Sequence, residues 1–332
     1  MDVVAIAAAL GLAFVLGISD APNASAAMVV SRAAGWRTAL TFSFVFHALG
    51  AMAGGTAVAV TVSSLVHASP HVLPSVYAAA ALAALGFVIV AARRGIPASA
   101  TYGMLGGLVG AALVAGGLGA IHWGGIRDHR PVGVIGALIG LVVSPALGLV
   151  CGAALGGALT RVLRRGTRRF LRPVRGGIWV AAAFVALSDG ANDGQKAMGL
   201  AAATLLATGS LDHFRIPLWV RIAAAVALAL GTAVGGGRVI RRVGTGYFRP
   251  TPIDALAAQV SAAGVMVGAA FLGAPVSTSE TVAASVVGVG ADRHPRHVRW
   301  AAVAETLSAW GITVPACAAL GALFYLCARL VA

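Results

Sequence analysis

The sequence predicts an all-α, polytopic membrane protein built around a duplicated unit, and three observations carry that prediction. Charged residues make up 10% of the 332-residue chain, whereas a soluble domain carries about 25%, and 59% of residues are hydrophobic before the 44 glycines are counted. Ten apolar runs lie along the chain, most of them long enough to cross about 30 Å of hydrocarbon. Two polar motifs recur in the same order in each half. So little charge could not cover the surface of a water-soluble protein of this length.

In chain order the first five runs are 3–30, 39–62, 76–92, 96–121 and 132–159. The first begins without a basic leader, and Asp2 follows Met1, so it reads as a first span and not as a secretory signal. An Arg-dense stretch follows, with Arg161, Arg164, Arg165, Arg168, Arg169, Arg172 and Arg175 inside residues 160–177. It is the strongest candidate for a cytoplasmic loop under the positive-inside rule. Runs at 178–208, 216–237, 255–272, 274–289 and 301–331 complete the chain. The domain reading is an N-terminal transmembrane repeat at 1–159, the loop at 160–177, and a C-terminal repeat at 178–332.

Of 24 basic residues, 23 are Arg and lie mostly between apolar runs, so the net charge of +14 reads as orientation and contact with lipid headgroups. Nucleic acid is excluded as a partner, because that would need a soluble basic face. Asp20, Asp189, Asp193, Glu280 and Glu305 instead fall inside apolar runs. An ionisable group in hydrocarbon costs several kcal/mol, about 2.5 upward, and is a functional candidate by default. Cys151, Cys317 and Cys327 are dispersed and read as small packing residues. The GxxxG spacings Gly106/Gly110, Gly136/Gly140 and Gly152/Gly156 read as close helix packing, including at a dimer contact.

The first motif, Gly17-Ile-Ser-Asp20-Ala-Pro-Asn23-Ala24, aligns with Gly190-Ala-Asn192-Asp193-Gly-Gln-Lys196-Ala197 at an offset of 173. The second, Gly95-Ile-Pro97-Ala-Ser99-Ala-Thr101, aligns with Gly273-Ala-Pro275-Val-Ser277-Thr-Ser279 at an offset of 178. A weaker echo pairs Ser144-Pro145 with Thr313-Val-Pro315. Duplication of this kind builds many secondary transporters, with the substrate site where the halves meet. Gly, Asn and Asp around Asp20 and Asp193 are expected to unwind the helix, freeing carbonyls beside hard oxygen donors suited to Na⁺ or a proton. In the second motif, Pro is expected in a first helical turn, with Ser and Thr capping it. The free N–H groups and helix dipole then favour an anion. Two such termini meeting at mid-membrane would form a cage of neutral donors for a tetrahedral oxyanion.

Ser188-Asp-Gly-Ala-Asn-Asp-Gly-Gln-Lys-Ala-Met-Gly199 resembles the signature of the inorganic phosphate transporter (PiT) family, and Gly17 to Asn23 is similar to its first-half copy. The paired Pro/Ser/Thr motifs and Arg299-Trp300, Ala309-Trp310 and Thr313-Val-Pro315 extend the resemblance over essentially the whole chain. What it implies is a homodimeric, multi-pass protein of the cytoplasmic membrane that takes up inorganic phosphate with Na⁺ or H⁺, without a cofactor and without enzymatic activity. It also implies two inverted repeats, broken helices and re-entrant hairpins. Asp20, Asn23, Asn192 and Asp193 would bind the cation. Ser99, Thr101, Ser277, Thr278 and Ser279, with Asn23 and Asn192, would hold phosphate. Gln195, Lys196, His47 and Glu280 are secondary candidates.

Departures from the family pattern leave the coupling ion open. Ser19 replaces an Asn, His47 stands where an acid is common, and Asp189 and Glu280 stand where His is common. Gln259 occupies a frequent Glu position and reads as a gate or hydrogen-bond partner. Lys196, the sole lysine, is read either as the partner of Asp193 or as an attractor of the anion. Glu280 and Glu305 are expected to need partners, His47 or a bound cation. Sulfate is the alternative substrate, since a Ser/Thr cage suits either tetrahedral anion. Further rivals are an intramembrane aspartyl protease, whose motif context is missing, a membrane phosphatase, which would want an Arg/His pocket, and a passive channel.

Overall fold

Without water to satisfy peptide groups, an apolar chain can only cross a bilayer as helices whose backbone bonds are internal, and among its described residues this chain forms eleven α-helices. The computed structural model describes residues 1–94, 99–127, 130–163, 171–243 and 246–331. The first half contains α1 (Asp2–Val30), α2 (Trp36–Ala53), α3 (Ala57–Ser63), α4 (Leu73–Arg94), α5 (Ala100–Gly116) and α6 (Gly133–Leu163). The second contains α7 (Leu171–Ala207), α8 (Leu218–Val243), α9 (Pro252–Leu272), α10 (Thr278–Arg293) and α11 (Trp300–Val331). A small hairpin of β1 (Gly125–Arg127) and β2 (Arg130–Val132) precedes α6 and is the exception to an all-helical chain.

Seven of these helices are long and apolar enough to span a membrane, and the pair α2–α3, bent by 72°, makes an eighth. Their outward faces are Val, Leu, Ile and Phe, such as Val142, Val143, Leu147 and Val150 of α6. The runs at 96–121 and 274–289 shrink to helices of 17 and 16 residues, about 25 Å at 1.5 Å per residue and short of a full span. The run at 39–62 breaks between α2 and α3. Arg221 of α8 donates to Met52 O (2.9 Å) and Gly54 O (3.1 Å) at the end of α2, and Gln195 Oε1 accepts from Val58 N (2.9 Å) at the start of α3. Both side chains satisfy groups that a helix end leaves open.

The expected loop at 160–177 is shorter than its Arg density suggested. Arg161 ends α6 and Arg172 and Arg175 begin α7, while Arg164, Arg165, Arg168 and Arg169 lie outside the described residues. The expected unwinding at the aspartates does not occur either. α1 runs unbroken through Pro22 and α7 runs unbroken through Gly190.

The glycines of the aspartate motifs serve helix approach instead. A Cβ on Gly17 would lie 2.0 Å from Leu228 O of α8, and one on Gly231 would lie 1.9 Å from Phe14 O of α1. The same clasp recurs between α7 and α2, with Gly190 2.1 Å from His47 O and Gly50 2.2 Å from Leu187 O. Each member of the second clasp is the repeat mate of a member of the first. A second duplicated clasp joins α5 to α11 through Gly110 and Gly321, and α10 to α6 through Gly288 and Gly152. The spacings Gly106/Gly110 and Gly152/Gly156 thus pack within the chain and not at a dimer contact.

The helices keep the same neighbours when the halves are exchanged: α1 on α8 and α7 on α2, α5 on α11 and α10 on α6, α4 on α11 and α9 on α6. Each of these pairings joins one half to the other, so the halves interlock. α9 opens with a capping box, Thr251 and Asp254 around Pro252, and closes at Gly273, whose φ of 69° needs a residue without Cβ. Asp254 also pairs with Arg293 at the far end of α10, clamping the base of the α9–α10 hairpin. Its tip is Gly273–Ser277, with Pro275 in extended chain and not in the first turn of α10. A residue before proline is pushed out of the helical region, and the extended link accommodates this.

Replacing Gly231 by Ala should therefore prise α1 from α8, costing about 1–3 kcal/mol or more as overpacking does. Gly264→Ala, which meets nothing within 4 Å, should leave stability unchanged or slightly raised. Thermal unfolding of the two variants in detergent would show the contrast, and equal midpoints would dismiss the clasp.

Candidate functional site

The interlocked halves bring four helix segments to one place: the middles of α1 and α7, and the N-termini of α5 and α10. Residues three apart share a helix face, so α1 presents Asp20 with Asn23, and α7 presents Asp193 with Lys196. Ser99 and Ser277 are the N-cap residues of α5 and α10, and their hydroxyl oxygens lie 3.1 Å apart. They are repeat mates, so the two hairpin tips touch where the halves exchange. Gly95 and Pro97 lie outside the described residues.

Thr278 of α10 joins the two aspartates. Its Oγ1 is 3.0 Å from Asp20 Oδ1 and 3.0 Å from Asp193 Oδ2. Ser279 Oγ donates to Asp20 Oδ1 at 2.6 Å. Its repeat mate Thr101, on α5, accepts at 2.7 Å from Lys196 Nζ, which is itself paired with Asp193. Each hairpin thus places a hydroxyl on the aspartate system of the opposite half. Asn192 fastens the second tip, its Nδ2 donating to Ala274 O (3.2 Å) and its Oδ1 accepting from Val276 N (3.5 Å). Asn23 Nδ2 donates to Asp20 Oδ1 (3.0 Å) and to Asp189 Oδ2 (3.1 Å).

The structure sorts the secondary candidates. His47 contacts Asp189 Oδ2 through Nε2 (3.4 Å) and Thr232 through Nδ1 (2.8 Å), so it does not serve as partner to Glu280 or Glu305. Glu305 is exposed near the start of α11 and needs no buried partner. Gln195, two residues after Asp193 on α7, points away from the aspartate cluster and braces the α2–α3 bend. Gln259 donates to Asn23 O at 2.7 Å, which makes it a support for α1. Glu280 sits beneath the two tips, beside Tyr102, Ser99 and Ser277. Thr232 and Tyr102 were not singled out in the sequence; the only available signal was a hydroxyl inside an otherwise apolar helix.

The electrostatics are lopsided. Asp20, Asp189, Asp193 and Glu280 are all at most 3% exposed, and Lys196 is the one ammonium buried among them. Asp20 Oδ2, Asp189 Oδ1, Gln259 Oε1 and both Glu280 oxygens have no hydrogen-bond partner among the described residues. Such groups are expensive to bury unpaired. The arrangement therefore suits bound cations or protons beside a pair of anion-facing helix termini.

Comparison with known proteins accords with this geometry. A profile described as the phosphate transporter family matches residues 16–175 and 167–321. The chain is 34% identical to a probable low-affinity inorganic phosphate transporter of Rhizobium meliloti (strain 1021), over 98% of this chain and 96% of that one. It is 32% identical to a protein of the same description from Bacillus subtilis (strain 168), over the same shares. Among solved structures, the sodium-dependent phosphate transporter superposes with a TM-score of 0.84 at 21% identity, covering 100% of this chain and 99% of that one. These relatives are transporters and not enzymes, and the touching hairpin tips over paired intramembrane aspartates belong to a multi-pass membrane protein of the phosphate transporter family.

Proposed function

We propose that this phosphate transporter is a cation-coupled symporter in which Asp20 and Asp193 form the coupling centre and the α5 and α10 tips hold the anion. The observation that carries the reading is Thr278 Oγ1, 3.0 Å from both carboxylates. A hydroxyl owns one hydrogen and cannot donate fully to two carboxylates. A proton or metal cation at this junction relieves the conflict. The same residue opens α10, so occupancy of the carboxylates sets the position of the helix terminus that faces phosphate.

Charge gives the order of events. Four buried carboxylates against one ammonium leave a negative site, which repels a phosphate anion until cations enter. Asp20, Asn23, Asn192 and Asp193 supply carboxylate and amide oxygens for that step. The unpartnered oxygens of Asp20 on α1 and Asp189 on α7, both beside Asn23, support a cation position there. Phosphate is then held by Ser99 and Ser277 and by first-turn N–H groups of α5 and α10, which have no acceptor inside their helices. Thr101, Thr278 and Ser279 act chiefly as links from the tips to the charged side chains. Each positive charge carried inward contributes about 2.3 kcal/mol per 100 mV of inside-negative potential, which drives the anion against the field. The sodium dependence named for the structural neighbour supports Na⁺ as the ion, with H⁺ the other reading. The duplicated clasps support two oppositely oriented halves, and the Arg-rich segment a cytoplasmic face. A homodimer completes the proposal.

In proteoliposomes, Asp193→Asn and Asp20→Asn should each abolish gradient-driven phosphate accumulation; wild-type accumulation by either would sink the coupling assignment. Ser99→Ala and Ser277→Ala should each raise the phosphate KM by about tenfold or more, the loss of a hydrogen bond to a charged group being worth about 1.5–3 kcal/mol. Unchanged KM in both would return these serines to helix capping alone. Sulfate in excess should compete weakly, and uptake of labelled sulfate at the phosphate rate would contradict phosphate as the substrate.

A further inference from the structure

Resting on that reading, we propose that Lys196 is a tethered cation that occupies the place of a dissociable Na⁺ in the second half, so that the protein carries one coupling charge fewer per phosphate than its duplicated architecture would otherwise allow.

Three features of the site lead there. First, the ammonium is saturated. Lys196 has three N–H groups and three acceptors: Asp193 Oδ1, Thr101 Oγ1 at 2.7 Å and Val276 O at 2.6 Å. A carboxylate, a hydroxyl and a main-chain carbonyl are the hard oxygen donors that hold a small cation. The side chain is fully buried, and no N–H remains to attract an anion, which removes the reading of Lys196 as a phosphate ligand.

Second, the two halves differ in charge at this position. The repeat mate of Lys196 is Asn23, which contacts Asp20 as Lys196 contacts Asp193, but carries no charge. Third, the difference shows in the surrounding oxygens. Around Lys196, both oxygens of Asp193 and both polar atoms of Asn192 have partners. Around Asn23, Asp20 Oδ2 has none, nor do Asp189 Oδ1 and Gln259 Oε1, which reach it from α7 and α9. Asp193 has its charge met within the protein by Lys196, and Asp20 leaves an oxygen to an ion from solution.

A tethered ammonium balances Asp193 but returns with the carrier in every cycle, so it moves no net charge. A dissociable Na⁺ in its place is released on the far side. The exchange would alter stoichiometry, which a merely structural ion pair does not influence.

The test is Lys196→Asn, the substitution that copies the first-half motif. Purified protein in liposomes would be given imposed membrane potentials, and the accumulation ratio of labelled phosphate recorded with and without Na⁺. The variant should accumulate phosphate with one additional charge per cycle in the presence of Na⁺, a ratio about 50-fold steeper per 100 mV, the equivalent of 2.3 kcal/mol. Transport by the variant with the native dependence on potential overturns the proposal. Should the variant bind but not turn over, Na⁺-dependent thermal stabilisation in detergent decides: stabilisation exceeding that of the native protein supports the tethered cation, and equal or smaller stabilisation overturns it. Failure of the underlying symport reading appears separately, as a native protein that accumulates no phosphate under any Na⁺ or pH gradient.

Discussion

Burying charge inside a membrane is the constraint on which the rest of this structure depends. Asp20, Asp189, Asp193 and Glu280 are withdrawn from water in a chain that has few charges of any kind. Each must be met by a donor, an opposite charge or an ion. The protein answers with helix termini. Thr278 and Ser279 bring the first turn of α10 onto Asp20 and Asp193, and Thr101 brings that of α5 onto Lys196, so the helix termini proposed to face an anion are physically attached to the side chains proposed to face cations. In the proposed symport, coupling between the two ligands is then a property of one hydrogen-bonded cluster, without any signal across a distance.

That cluster requires the halves to interpenetrate, and the glycine clasps are what permit it. With backbone carbonyls about 2 Å from where a Cβ would stand, α1 and α8, and equally α7 and α2, approach more closely than any side chain allows. The clasps recur at equivalent positions in both halves. Because α1 and α7 are gripped on their outer sides, their inner faces meet, and Asp20 and Asp193 arrive on a shared hydroxyl. Small residues at membrane helix contacts substitute close van der Waals packing for the hydrophobic effect, which lipid does not supply.

Where the structure departs from expectation, the cause is tertiary. Glycines beside Asp20 and Asp193 suggested unwound backbone, yet both helices continue because those glycines serve neighbouring carbonyls. Pro275 suggested a first-turn proline, yet it lies in the extended tip that lets Asn192 bond on both sides of it. Gln195 stood in the signature beside Asp193, yet it points to α3 and holds a bend. Glu305, in an apolar run like the others, is exposed at a helix start. For the glycines, Pro275 and Gln195, the deciding partner lay far away in sequence.

By itself the sequence determined the membrane class, the helical composition, the duplication, and which acids and hydroxyls converge. These follow from hydropathy, from the cost of charge in lipid, and from matched spacing, all of which are local or periodic properties of the chain. Only the tertiary structure decided that Thr278 bridges the two aspartates, that Ser99 meets Ser277, and that every donor of Lys196 is spent. Apart from the Lys196–Asp193 pair, those contacts join residues 80 or more positions apart. Their pairing depends on how closely helices approach, and that distance is set by carbonyl-to-glycine contacts that no single run of sequence contains.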